Sequence, residues 1–222
     1  MRILLNLVLI FIIISCKEKV KKNFLIVDIN KKQEEFVKPD IKIKSDSILQ
    51  SGITKFGFLV LKNSYNSEQK LVVYNFDGST WKSFNYNDSF SDNQINPYGF
   101  KPETRLLVFK CLKKKDGYFY IIVDEEKNSI KYIKEADKNF EYQTPEEHIL
   151  SVFSVEFDDI LNPLRLNHDD KSEISPTDKN SFYYPIKIEG NWLLVEDDKK
   201  QNFWIKWYDE KGNIILKLYY DA

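Results

Sequence analysis

The chain has 222 residues, 42% of them apolar and 15% aromatic, and 33 basic against 34 acidic side chains leave a formal charge of −1. That apolar content suits a chain that folds around a core rather than one that stays disordered. A charge this close to zero supplies no field to gather nucleic acid, so no nucleic-acid partner is expected, and seven glycines leave little room for a phosphate-cradling loop.

The first element is an export signal. Met1-Arg2 is a short positive end, and residues 3–14 are apolar apart from Asn6. A spanning helix needs about 20 apolar residues, so this run is too short to be one. A charged start, a short apolar stretch and the small Ser15 form the pattern of a secretory signal. The run Ile13-Ile14-Ser15-Cys16 resembles the lipobox of bacterial lipoproteins. The resemblance implies cleavage before Cys16 and lipidation of its thiol. Several acyl chains on one cysteine anchor stably, since each buried methylene contributes about 0.8 kcal/mol. Residues 1–15 are therefore read as a lipoprotein signal peptide, and the expected first partner is a membrane, held through Cys16.

Residues 16–39 are rich in lysine and poor in aromatics, the composition of a flexible tether. Its lysines can touch anionic headgroups, at about 1 kcal/mol each near the surface. Lys17-Glu18 resembles the lysine-acidic signals of surface lipoproteins in Bacteroidetes, which implies an outer-membrane or cell-surface location. With Cys16 lipidated, Cys111 is the remaining thiol and no intrachain disulfide is expected.

From residue 40 the chain reads as strand and turn. Segments 53–62, 70–76 and 80–86 are rich in apolar, β-branched and aromatic residues, with Asp77-Gly78 turning the last two into a hairpin. Residues 89–102 read as a loop with two prolines, and strands follow at 105–112, 117–123 and 129–134. Thr144-Pro145-Glu146-Glu147 is a capping box with proline at the first helical position, so a helix is predicted from there to about Phe153. Strands return at 164–166, 182–188, 192–196, 203–208 and 214–220, with a turn at 209–213. The expected class is mainly β: an N-terminal β module over 40–140, a linker helix within 141–160 and a C-terminal β module over 161–222.

Two segments look like copies. Asp116-Gly117-Tyr118-Phe119 opens a strand, and Tyr132-Ile133-Lys134 follows the glycine by fifteen residues. Glu189-Gly190-Asn191-Trp192 opens another, and Trp204-Ile205-Lys206 follows by fourteen. A repeat of this kind points to a duplicated module. The run Asn162-Pro163-Leu164-Arg165, then Gly190-Asn191-Trp192-Leu193-Leu194-Val195, then Trp204-Ile205-Lys206-Trp207 resembles a bacterial SH3-like domain. Phe203 stands where that family usually has glycine, and Asn191 where it has aspartate. The resemblance covers about 162–222, with a fainter copy at about 97–138, and implies small five- to six-stranded barrels. It implies a ligand-binding role only loosely, because such folds host many functions.

Strand alternation sorts the candidate site. If Leu193, Val195 and Ile205 point inward, Trp192, Trp204 and Tyr208 point outward, and by the repeat Phe119 and Tyr132 hold the equivalent outward positions. These five form the candidate binding surface, either a groove for a peptide or glycan or a face packed against the other module. Cys111 alternates with Leu107 and Phe109 and reads as a core residue. His148 on the helix and His168 in a loop read as solvated, and Asp197-Asp198-Lys199-Lys200 as a solvated hairpin tip. Neither histidine has the three or four partners a zinc site needs. No catalytic residue, metal or cofactor is expected; a Cys-His hydrolase built on Cys111 is the enzymatic alternative. The leading reading is a non-catalytic envelope lipoprotein that binds peptidoglycan or a protein partner. The other is an immunity or inhibitor lipoprotein that blocks a protein.

Overall fold

A computed structural model describes residues 56–221. The expected signal peptide, Cys16, the expected tether and the start of the first predicted strand lie outside the described residues. The strands are β1 (Gly57–Leu61), β2 (Leu71–Tyr74), β3 (Thr80–Phe84), β4 (Gly99–Lys101), β5 (Leu106–Lys115), β6 (Tyr118–Asp124), β7 (Ser129–Lys134) and β8 (Phe140–Gln143). After the helix α1 (Pro145–Ser151) come β9 (Ser154–Glu156), β10 (Tyr183–Glu189), β11 (Trp192–Asp197), β12 (Asn202–Lys206) and β13 (Lys217–Tyr219). The protein is mainly β, as the sequence leads one to expect, and all the described residues belong to one compact unit.

Strands β1 to β8 form one antiparallel sheet in the order β3-β2-β7-β6-β5-β1-β8, with β4 also alongside β5. Its main core gathers on one face. Leu107, Phe109 and Cys111 of β5, Phe119, Ile121 and Val123 of β6, and Leu59 and Leu61 of β1 meet there, all nearly inaccessible. Each of the larger side chains contributes about 1.5–3 kcal/mol by leaving water. The β5–β6 hairpin turns on Asp116 and Gly117, whose φ values of 53° and 78° are both left-handed, as a tight two-residue turn demands. The opposite face carries a smaller cluster at its β1–β5 end, Phe56, Phe58 and Val108, against which Ile214 and Tyr220 of the C-terminal segment pack.

The helix starts where its capping box places it. Thr144 Oγ1 accepts from the Glu147 backbone N–H, and the Glu147 carboxylate accepts from the Thr144 N–H. It ends at Ser151, earlier than predicted, because Val152 is already extended and leads into β9. Ile149 and Val152 join the C-terminal core with Val155, Leu193, Val195, Phe203, Ile205 and Trp207.

Three predicted elements differ, and two strands form where none is predicted. The loop at 89–102 ends in the short strand β4, and β8 and β9 form where no strand is predicted. The predicted strand at 164–166 is reduced to isolated bridges from Arg165 to Ile174 and Trp204. The last strand is confined to β13, which pairs with β9 instead of continuing the hairpin from β12. These are short segments whose extended form depends on a partner far along the chain, a signal that local composition does not carry.

Candidate functional site

Trp192 and Trp204 lie on the same face of their sheet. Trp192 pairs with Lys206 and Leu194 with Trp204, so the two tryptophans are diagonal neighbours, while Leu193, Val195 and Ile205 fill the core behind them. Both are 8% exposed. Lys206 Nζ sits 5.4 Å from the Trp192 ring centre, Lys187 Nζ 5.3 Å from that of Trp204, and the His168 ring meets Trp204 edge-on at 4.8 Å. At the surface above them Lys206 pairs with Asp170 at 2.6 Å and Lys187 with Glu189 at 2.7 Å, and His168 Nδ1 lies 3.4 Å from the Glu189 carboxylate. His168 is an exposed loop residue, as read from sequence, with its side chain 56% accessible and one ring edge against Trp204. Tyr208 packs edge-on against Trp207 at 4.4 Å and belongs to the margin of the C-terminal core.

Phe119 and Tyr132 do not share a face. Phe119 pairs with Ile133 and joins the main core, whereas Tyr132 pairs with Tyr120 on the opposite side. The repeat analogy therefore fails here, and parity is the reason. In the C-terminal copy the second aromatic follows the glycine by fourteen residues, in the N-terminal copy by fifteen. One residue moves a side chain to the other face of a strand.

Around Tyr132 the large sheet carries a row of aromatics that the repeat obscured. Lys113 of β5 stands opposite Tyr120 of β6, Tyr120 opposite Tyr132 of β7, and Tyr132 opposite Tyr74 of β2. The row thus crosses four adjacent strands on the face away from the main core. Tyr118 sits beside it, opposite both Lys115 and Lys134. The rings interlock edge to face: Tyr120–Tyr132 at 4.5 Å, Tyr118–Tyr132 at 6.3 Å and Tyr74–Tyr118 at 6.2 Å between centroids. Phe76, 69% exposed, leans on Tyr132 at 5.6 Å. Tyr74, Tyr118 and Tyr120 are partly exposed around the more deeply set Tyr132. Burial first, and then the neighbouring Tyr120, raises the Tyr132 hydroxyl above the ordinary tyrosine range.

Tyr65, Tyr86, Tyr183, Tyr184, Tyr219 and Tyr220 each engage their hydroxyls within the protein. Those of Tyr74, Tyr118, Tyr120 and Tyr132 have no hydrogen-bond partner among the described residues. The lysines are arranged likewise. Lys114 and Lys115 pair with Glu135 and Asp116, but Lys113 and Lys134 form no ion pair among the described residues. Lys113 Nζ rests 4.5 Å from the Tyr120 ring centre and Lys134 Nζ 4.8 Å from that of Tyr74. Sequence alternation held the signal for this surface, because Tyr118 and Tyr120 alternate with the core residues Phe119 and Ile121.

His148 corrects the expectation of a solvated surface histidine. It is 1% exposed and stacks on Phe58 at 4.0 Å. Its Nδ1 lies 2.8 Å from Gln143 Oε1 and its Nε2 2.9 Å from the Tyr220 hydroxyl. Gln143 gives its own amide N–H to Glu141, which leaves Oε1 as the acceptor facing the ring. The matching tautomer carries its proton on Nδ1, and Nε2 accepts from Tyr220. Burial lowers the imidazole pKa to about 4. Both nitrogens are committed to joining α1, β8 and the C-terminal segment.

Cys111 is buried in the main core, and burial pushes its thiol pKa to about 11. Asp197 is also buried, at 4% exposed, where a solvated tip was expected. It accepts the backbone N–H groups of Lys199 and Gln201 and so closes the β11–β12 turn. Among the described residues no three His, Cys, Asp or Glu side chains are placed to hold a metal ion, and no helix is long and apolar enough to cross a membrane. No protein-family model matches the chain, and it matches no curated protein and no solved structure.

Proposed function

We propose that this chain is a lipid-anchored lipoprotein of the bacterial cell envelope that binds a ligand without catalysis. The anchor rests on the run Ile13-Ile14-Ser15-Cys16 behind a short apolar segment. The likeness to SH3-like modules draws support from Arg165, which bridges to Trp204 and so sets the Pro163-Leu164-Arg165 segment beside β12. The single observation that carries the binding role is the row of partly exposed Tyr74 and Tyr120 on either side of the buried Tyr132, with hydroxyls that have no hydrogen-bond partner among the described residues and a lysine toward each end. Contiguous exposed aromatics mark interaction surfaces. Retention of the full chain on isolated peptidoglycan, compared with capture by solubilised envelope proteins, tests the reading. Capture by neither overturns it.

A second reading, a lipoprotein that blocks a protein partner, is favoured by Ile160 and Leu161, which are 86% and 83% exposed. Asp158 holds them in a turn by accepting both of their backbone N–H groups. Two fixed apolar side chains in water suit a protein contact better than a glycan.

A further inference from the structure

We infer that the tyrosine row is a docking track for an acidic glycan, a polysaccharide chain bearing carboxylates that runs across the strands from β5 to β2. This rests on the binding reading above and names the ligand class of the same surface.

The position of the row excludes the commonest way a sheet takes a ligand. β6 and β7 lie inside the sheet, β6 paired along both edges and β7 flanked by β6 and β2, so neither presents an open edge to an added peptide strand. Recognition on this face belongs to side chains alone. Those side chains offer ring surfaces and hydroxyls that both donate and accept. A sugar presents the complementary pair, a C–H face to lie on a ring and hydroxyls to meet the tyrosine oxygens.

Charge narrows the class. Of the nearby carboxylates, Asp116 and Glu135 are matched by Lys115 and Lys114 and Asp77 is bonded to Ser79, so among the described residues Lys113 and Lys134 are the lysines of this face without an ion pair. Lys113 stands at the β5 end of the row, and Lys134 lies over Tyr74 toward the β2 end. A carboxylate on the chain at each end would meet a lysine. From β5 to β2 is three inter-strand spacings of about 4.8 Å, a track of roughly 14 Å that suits a short stretch of polymer better than one small molecule.

The test is native affinity electrophoresis of the full chain in detergent, in gels cast with polygalacturonate, with dextran or with no polymer. Polygalacturonate should retard the protein, dextran should not, and added salt should weaken the effect. Tyr120→Ala and the exposed-site variant Lys113→Glu should each weaken retention roughly tenfold or more. Lys113 is exposed and its variant removes only the cation over Tyr120, so a loss there with an unchanged melting curve reports the surface and not the fold. Equal retardation by dextran would overturn the acidic class. Equal competition by polyglutamate or a single-stranded oligonucleotide would reduce the surface to charge alone and overturn the glycan. No retardation, in a protein that still binds peptidoglycan or an envelope protein, overturns this inference and leaves the binding reading standing. No retention on any of these overturns both.

Discussion

His148 accepts a hydrogen bond from the hydroxyl of Tyr220 at 2.9 Å, across 72 positions of the chain. The contact ties the C-terminal segment to the only α-helix among the described residues, and through Gln143 and Phe58 to the large sheet. It depends on an uncharged imidazole.

That dependence sets a pH response. An unfolded histidine titrates near 6.5, whereas burial holds His148 at about 4 in the folded protein. Between those values the unfolded chain binds more protons, so stability is fully present above about pH 6.5 and falls as pH drops toward 4. The loss should reach about 3 kcal/mol, at 1.36 kcal/mol per pKa unit. The groups around the ring, Gln143, Phe58, Tyr98 and Tyr220, carry no charge in that range. Urea unfolding of wild type and His148→Gln at several pH values is the check, and the variant should lack this part of the slope.

Cys111 should behave as core. Cys111→Ala is expected to cost about 1–2 kcal/mol by leaving a small void. With its thiol at about 11, the native protein should resist alkylation at neutral pH until it is unfolded. Rapid modification of the folded protein would contradict its burial.

Trp192→Ala tests the roofed tryptophan face. Its ring is 8% exposed beneath Lys206, and its loss should cost about 3 kcal/mol, with a clear drop in melting temperature. A mutant that melts like wild type would show that the roof is loose and the face available to a ligand.

Cys16→Ser should release the protein from the membrane fraction or leave it unprocessed. Metabolic labelling with a fatty acid decides, and label retained by the mutant would exclude Cys16 as the lipidated residue.

Much of the local structure was legible in the chain. Alternation put Leu193, Val195 and Ile205 on one face and the tryptophans on the other, because neighbouring side chains on a strand must point in opposite directions. Asp116-Gly117 marked a hairpin and Thr144–Glu147 a helix start, since both rest on backbone geometry settled within four residues. The tyrosine row was half legible. Alternation separates Tyr118 and Tyr120 from Phe119, but nothing local says that Tyr74, some 58 positions from Tyr132, lies beside them.

What the sequence by itself determined is therefore the mainly β class, most of the strands and the side of each strand that is apolar. The tertiary structure alone decided which strands meet and what covers each face. β9 and β13 become strands only because each finds the other. His148 stands among acidic neighbours in sequence yet is buried, because Phe58 and Tyr220 arrive from opposite ends of the described chain to enclose it. The physical reason is one of range. Steric preference and turn chemistry act between residues a few positions apart, whereas burial depends on every element that folds over a side chain.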